Sequence, residues 1–189
     1  MHSFRCSSGY RDTKGADRLP RHLYTLWMPE ITFVGWIHTG VAIIAIAAGF
    51  YSLARHKLIL PANRSGQIYL AGTLITAVTA LMIYQRGTFG PGHSLAVLTL
   101  LALAAGFLVM KIPALSKFAK YFQALCFSAT LLFHMIPAIT DGLLRLPVGD
   151  PVLTDIRDPL LAKFYLAFLI TFVIGYLFQV RWLRGQQAP

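Results

Sequence analysis

The sequence predicts an all-α fold, a polytopic membrane helix bundle with five transmembrane helices, on three observations. The chain is 56% hydrophobic and 13% charged over 189 residues, with a mean hydropathy of +0.60. A soluble domain of this length carries about 25% charged residues. Its charges gather in short segments. Between those segments lie five apolar runs, each close to the roughly 20 helical residues that cross a hydrocarbon core about 30 Å thick. A backbone in lipid must satisfy its own hydrogen bonds, so helix is the structure these runs adopt.

Residues 1–27 differ in composition. They are polar, basic and without apolar periodicity, and read as a flexible tail. The first apolar run starts too late and is too long for a secretory signal. Met28 offers a second start, with "MPEITFVGWIHTG" as a compact beginning. The transmembrane domain is expected over 28–183, with spans at roughly 31–54, 66–85, 93–112, 120–140 and 160–180, and a short carboxyl-terminal tail over 184–189.

The connections fit this division. "RHKLILPANRS" and "RGTFGPG" combine Pro, Gly and charge, which punctuate helices. "KIPALSK" is short, so spans three and four are expected to be antiparallel neighbours. The longest connection, 141–159, holds three prolines and four of the seven acidic residues. Trp27, Trp36, Tyr69, Tyr84, Tyr121 and Trp182 fall near span ends and read as interface anchors.

The net charge of +10 is distributed by loop. Arg55, Lys57, Arg64, Lys111, Lys117, Lys120, Arg181 and Arg184 fall at one end of the bundle. Arg86, Arg145, Arg157 and Lys163 fall at the other. The positive-inside rule then places the amino terminus outside and the carboxyl terminus in the cytoplasm. The tail, with Arg5, Arg11, Lys14, Arg18 and Arg21, argues the other way. Lys and Arg are not interleaved with aromatics in a stripe, and there is no nucleic-acid motif, so nucleic acid is not an expected partner. The lipid bilayer is.

Cys6 lies in the tail and Cys126 in an apolar run, so no disulfide is expected; Cys126 reads as a small buried apolar residue. There is no Cys-x-x-Cys-His for covalent haem, no P-loop, no His-Glu-x-x-His, no Gly-x-Ser-x-Gly and no dinucleotide fingerprint.

The candidate site is histidine-based. His38 lies near the start of span one, His93 opens span three, and His134 lies near the end of span four, which runs the opposite way. Helix parity puts all three at one end, each within about 10 Å of the boundary at 1.5 Å per residue. Gly35, His38, Ala42, Ala45 and Gly49 share a three-and-four spacing, so His38 faces the bundle with small residues that pack helices closely. Gln123, Cys126, Thr130, His134 and Asp141 lie near one stripe of span four. Two imidazoles from facing helices can ligate the iron of haem b, and three can hold zinc or copper. Tyr84 and Arg86 are placed to bond a haem propionate or an anionic group. Asp141 or Glu30 is placed to orient an imidazole. The plainer reading is that each histidine anchors a helix at the interface or bonds a neighbouring helix.

Two stretches, "IHTGVAIIAIAAGFYSLARHK" and "GTFGPGHSLAVLTLLALAAG", with "GQIYLAGTLITAVTALMI" between them, resemble a family of uncharacterised multi-helix bacterial membrane proteins. The likeness covers roughly residues 35–110. The resemblance implies a bacterial inner membrane, with the outside as periplasm. Members often carry a His-Arg pair before the Gly-x-x-Tyr that opens helix two. Here Gly66 and Tyr69 match, and no histidine precedes them. The layout is more loosely similar to small membrane b-type cytochromes, by fold-level analogy.

The resulting expectation is a small haem- or metal-binding electron-transfer protein, with His38, His93 and His134 as ligands and a redox partner or larger membrane complex beside it. The other expectation is a membrane accessory subunit or small-molecule transporter, whose histidines are structural or bind the ligand.

Overall fold

The computed structural model describes residues 32–83, 89–148 and 150–186. They form five long helices and two short 3-10 turns, with no strand among them. Every one of the five is long and apolar enough to cross a membrane. The chain is an all-α, multi-pass membrane protein.

Helix α1, Phe33–His56, starts on Thr32, whose hydroxyl accepts from the Gly35 N–H at 3.2 Å. Its buried positions are Gly35, Ala45, Gly49 and Ser52, so the small-residue face does turn inward. The helix ends where Lys57 takes a left-handed conformation, φ 65°, and donates its N–H to the Leu53 carbonyl at 3.0 Å. The Ser52 hydroxyl then donates to the Leu58 carbonyl at 3.0 Å and ties the loop down. Helix α2, Arg64–Met82, begins directly under that loop. A Cβ on Gly66 would collide with the Leu60 carbonyl, so this close approach admits only glycine.

Helix α3, Pro91–Leu108, starts two residues earlier than the apolar pattern indicates. Pro91 occupies the first turn, where a missing N–H leaves no bond unmade. The tight turns Val109–Lys111 and Pro113–Leu115 reverse the chain into α4, Ser116–Arg145. At 30 residues α4 is the longest element, about 45 Å by its rise. It runs through Pro137 and takes in 141–145, which the sequence pattern assigns to the connection. Two contacts hold the helix together past the proline. The Thr140 hydroxyl donates to the Ile136 carbonyl at 2.7 Å and meets the Tyr165 hydroxyl at 2.6 Å. Helix α5, Pro159–Gly185, is capped by Asp158, whose carboxylate accepts from the Leu160 N–H at 2.8 Å.

The order of packing is sequential: α1 on α2, α2 on α3, α3 on α4 and α4 on α5, with α1 also reaching α4. The core gathers Ala45, Ile59, Tyr69, Leu70, Leu103, Cys126, Phe127 and Leu131 from the first four helices and the first loop. Cys126 is buried there as a free thiol. Helix α5 stands to one side. It buries Leu161, Gln179 and Leu183, and leaves Leu166, Ile170, Val173, Ile174 and Phe178 exposed to what is lipid in a bilayer.

Candidate functional site: a histidine–threonine seam

Helix α2 carries Tyr69, Thr73, Thr76 and Thr79 at three-and-four spacing, a polar stripe inside an otherwise apolar span. Tyr69 and Thr73 are 0% exposed and Thr76 is 1% exposed. The stripe faces α1 and α4, and both helices answer it with an imidazole. His38 of α1 meets the Thr79 hydroxyl through Nδ1 at 3.0 Å. His134 of α4 meets the Thr73 hydroxyl through Nε2 at 3.1 Å.

The seam continues inward. The Tyr69 ring lies edge-on to the His134 ring, with centroids 6.2 Å apart. The Tyr69 hydroxyl and the Thr130 hydroxyl share a 2.6 Å bond, and Thr130 donates to the Phe127 carbonyl at 2.7 Å. Tyr69 reaches this position because α1 offers only a glycine below it. A Cβ on Gly49 would come within 2.7 Å of the Tyr69 ring. Tyr69 is therefore a core residue bonded across two helices and not the interface anchor that its place near a span end indicates. The threonines bond along their own helix as well. Thr76 donates to the Thr73 carbonyl at 3.0 Å, and Thr79 donates to the Ile75 and Thr76 carbonyls at 2.9 Å and 3.1 Å.

The outer mouth of the seam is polar. Asp141, further along α4 than His134, pairs with Arg145 at 3.5 Å. The inner end closes on the apolar cluster around Phe127, Leu131 and Leu70. The site thus runs from one end of the bundle toward its middle.

Two of the three histidines share this seam. His93 is used differently. The Gly90 N–H donates to its Nδ1 at 3.1 Å, and the His93 N–H donates back to the Gly90 carbonyl at 3.0 Å. The ring stacks on Phe89, with centroids 5.1 Å apart. Through Nδ1, His93 closes the first turn of α3, a bond set by the glycine turn before it.

Placing the three imidazoles at one depth needs correction. Helix α4 continues 11 residues past His134, about 16 Å at 1.5 Å per residue, so His134 sits well inside the bundle. The threonine partners of His38 and His134 are six residues apart, roughly 9 Å along α2. Among the described residues, no group of three or more His, Cys, Asp or Glu is placed to hold a metal ion. An axial haem pair fits only in part. His38 bonds the Thr79 hydroxyl through Nδ1, the ring nitrogen that a ligating imidazole usually gives to a supporting partner. His134 commits Nε2 to Thr73. Tyr84, Arg86 and Glu30 lie outside the described residues, as do residues 1–27 with Cys6.

Sequence reading finds the two seam histidines and misses Tyr69, Thr73, Thr76 and Thr79 as their partners. The signal is present: four hydroxyl side chains on one face of a span. No family model, curated protein or solved structure matches this chain.

Proposed function

We propose that the protein is a small membrane transporter, and that the histidine–threonine seam is where it takes up a small hydrogen-bonding solute, with the imidazoles as proton acceptors. The observation that carries this reading is the pairing of His38 and His134, from two helices, with hydroxyls on a third helix between them. Ionisable groups within a span are expensive to bury and face pathways or partners. Neutral imidazoles and hydroxyls both donate and accept, so they exchange partners readily with an uncharged polar solute or a proton. The Asp141–Arg145 pair stands at the outer end of the seam, the end from which we read the site as loaded.

The test is reconstitution into liposomes containing a pH-sensitive dye, with proton flux driven by a potassium gradient and valinomycin. Wild-type protein is expected to raise proton flux above protein-free vesicles. The His38→Gln/His134→Gln variant is expected to lose most of that rise while unfolding at a similar temperature. Equal flux with both proteins, in the presence and absence of candidate polar solutes, sinks the reading. The same samples are scanned in the visible region, oxidised and reduced, after haem-supplemented expression. A Soret band lost in the double variant would replace transport with electron transfer to a redox partner or membrane complex.

A further inference from the structure

We infer a binding site for one anionic phospholipid on the outer face of α2 and α3, separate from the seam. An open groove of about 460 Å³ runs between these helices, walled by Gln67, Leu70 and Leu74 of α2 and Leu103, Ala104 and Phe107 of α3. Its walls are almost entirely apolar, and it opens sideways, toward what is hydrocarbon in a bilayer. A flexible acyl chain fits such a groove better than a folded surface does.

The head end of the groove is basic. The α2 wall repeats every three to four residues, and one turn before Gln67 is Arg64. The α3 wall runs antiparallel, and four residues after Phe107 is Lys111, in the tight turn that ends that wall. Both cations are exposed. Gln67, at the Arg64 end of the α2 wall, is fixed by its Nε2 bond to the Pro61 carbonyl, 2.9 Å. The sequence from 31 to 140 contains no Asp or Glu at all. Helices α1, α2 and α3 and their described loops therefore offer these cations no carboxylate. Among the described residues the ion pair is Arg145–Asp141, on α4. Two cations with no carboxylate partner among the described residues, at one end of an apolar groove, match a phosphate with an acyl chain attached, the pattern by which basic sites between spans hold anionic lipid headgroups. A free phosphate satisfies the cations and leaves the groove unused, so the phospholipid is the occupant.

Native mass spectrometry of the full chain, released from micelles with equimolar phosphatidylglycerol and phosphatidylcholine, tests this. One phosphatidylglycerol is expected to stay bound in preference. Arg64→Gln with Lys111→Gln is expected to weaken its retention about 25-fold, from roughly fivefold per near-surface cation. Arg64→Lys should keep it. Ala104→Phe fills the groove with both charges intact and should lower retention of phosphatidylglycerol too. Arg55→Gln removes a cation at the same end of the bundle but off the groove, and should change nothing. Thermal unfolding of each variant confirms that the bundle is intact. The proposal is overturned if the double variant retains phosphatidylglycerol as wild type does, if the two lipids are retained equally, or if millimolar inorganic phosphate displaces the lipid from wild type.

Discussion

The mouth of α3 and the seam between α1, α2 and α4 use the same side chain in opposite ways. At α3, His93 bonds a glycine three residues away, and its partner is dictated by the turn that precedes it. In the seam, His38 and His134 bond threonines 41 and 61 residues away, and those bonds exist only because three helices assemble. A histidine bonded locally contributes to one helix end. A histidine satisfied across helices couples elements, and its proton and its bonding partner change when the helices move. That difference is why the transport reading rests on the seam and not on the three histidines as a set.

The largest expected effect is at Tyr69. If the seam is the organising polar core, Tyr69→Ala should cost about 3–5 kcal/mol of stability in bicelles, the range for removing a large buried aromatic. It leaves a cavity over Gly49 and strips Thr130 of its bond across to α2. A loss below about 1 kcal/mol would mean that the seam is loosely packed and differs little from the mouth of α3.

The second test separates tertiary from local bonding. A double-mutant cycle with His134→Ala and Thr73→Ala should return a coupling of about 0.6–1.7 kcal/mol, the measured span for hydrogen bonds between membrane helices. The His38→Ala and Thr79→Ala cycle should couple less, since Thr79 is only half-buried whereas Thr73 is fully buried. Zero coupling in both cycles would leave the imidazoles as interface anchors.

His93→Ala should cost about 1 kcal/mol, as loss of a helix cap does. Amide hydrogen exchange should speed up at Ser94 and its neighbours in the first turn of α3 and stay unchanged along α2. Faster exchange at Thr73 or Thr76 would show that His93 belongs to the seam after all. The smallest effect is expected from Asp141→Asn. Its pair with Arg145 is an exposed i,i+4 contact, worth roughly 0.3–0.5 kcal/mol. Stability should barely move, whereas proton entry into the seam should slow if Asp141 is its mouth.

Much of the fold is legible in the residues because the bilayer is a stern solvent. Five runs of the right length must be helices, and the small-residue spacing of Gly35, Ala45 and Gly49 names the face that packs. Boundaries are less legible where two signals compete. The fourth span is expected to end at 140, just past Pro137, yet the helix runs on to Arg145, with Thr140 bonded across to Tyr165 of α5. Tyr69 shows the same limit. A tyrosine near a span end reads as an anchor, and only the gap over Gly49 makes it a core residue.

Composition and period were enough to establish a five-helix membrane bundle, to turn His38 and His134 inward, and to leave the cations of the first four helices without carboxylates until Asp141. Each of these acts on one segment at a time. Helix assembly was needed to settle which histidines meet which hydroxyls and how deep His134 sits. Depth and partnership depend on how far each helix extends past its apolar run and on where small residues let backbones approach. Such distances belong to pairs of helices and are written in no single segment.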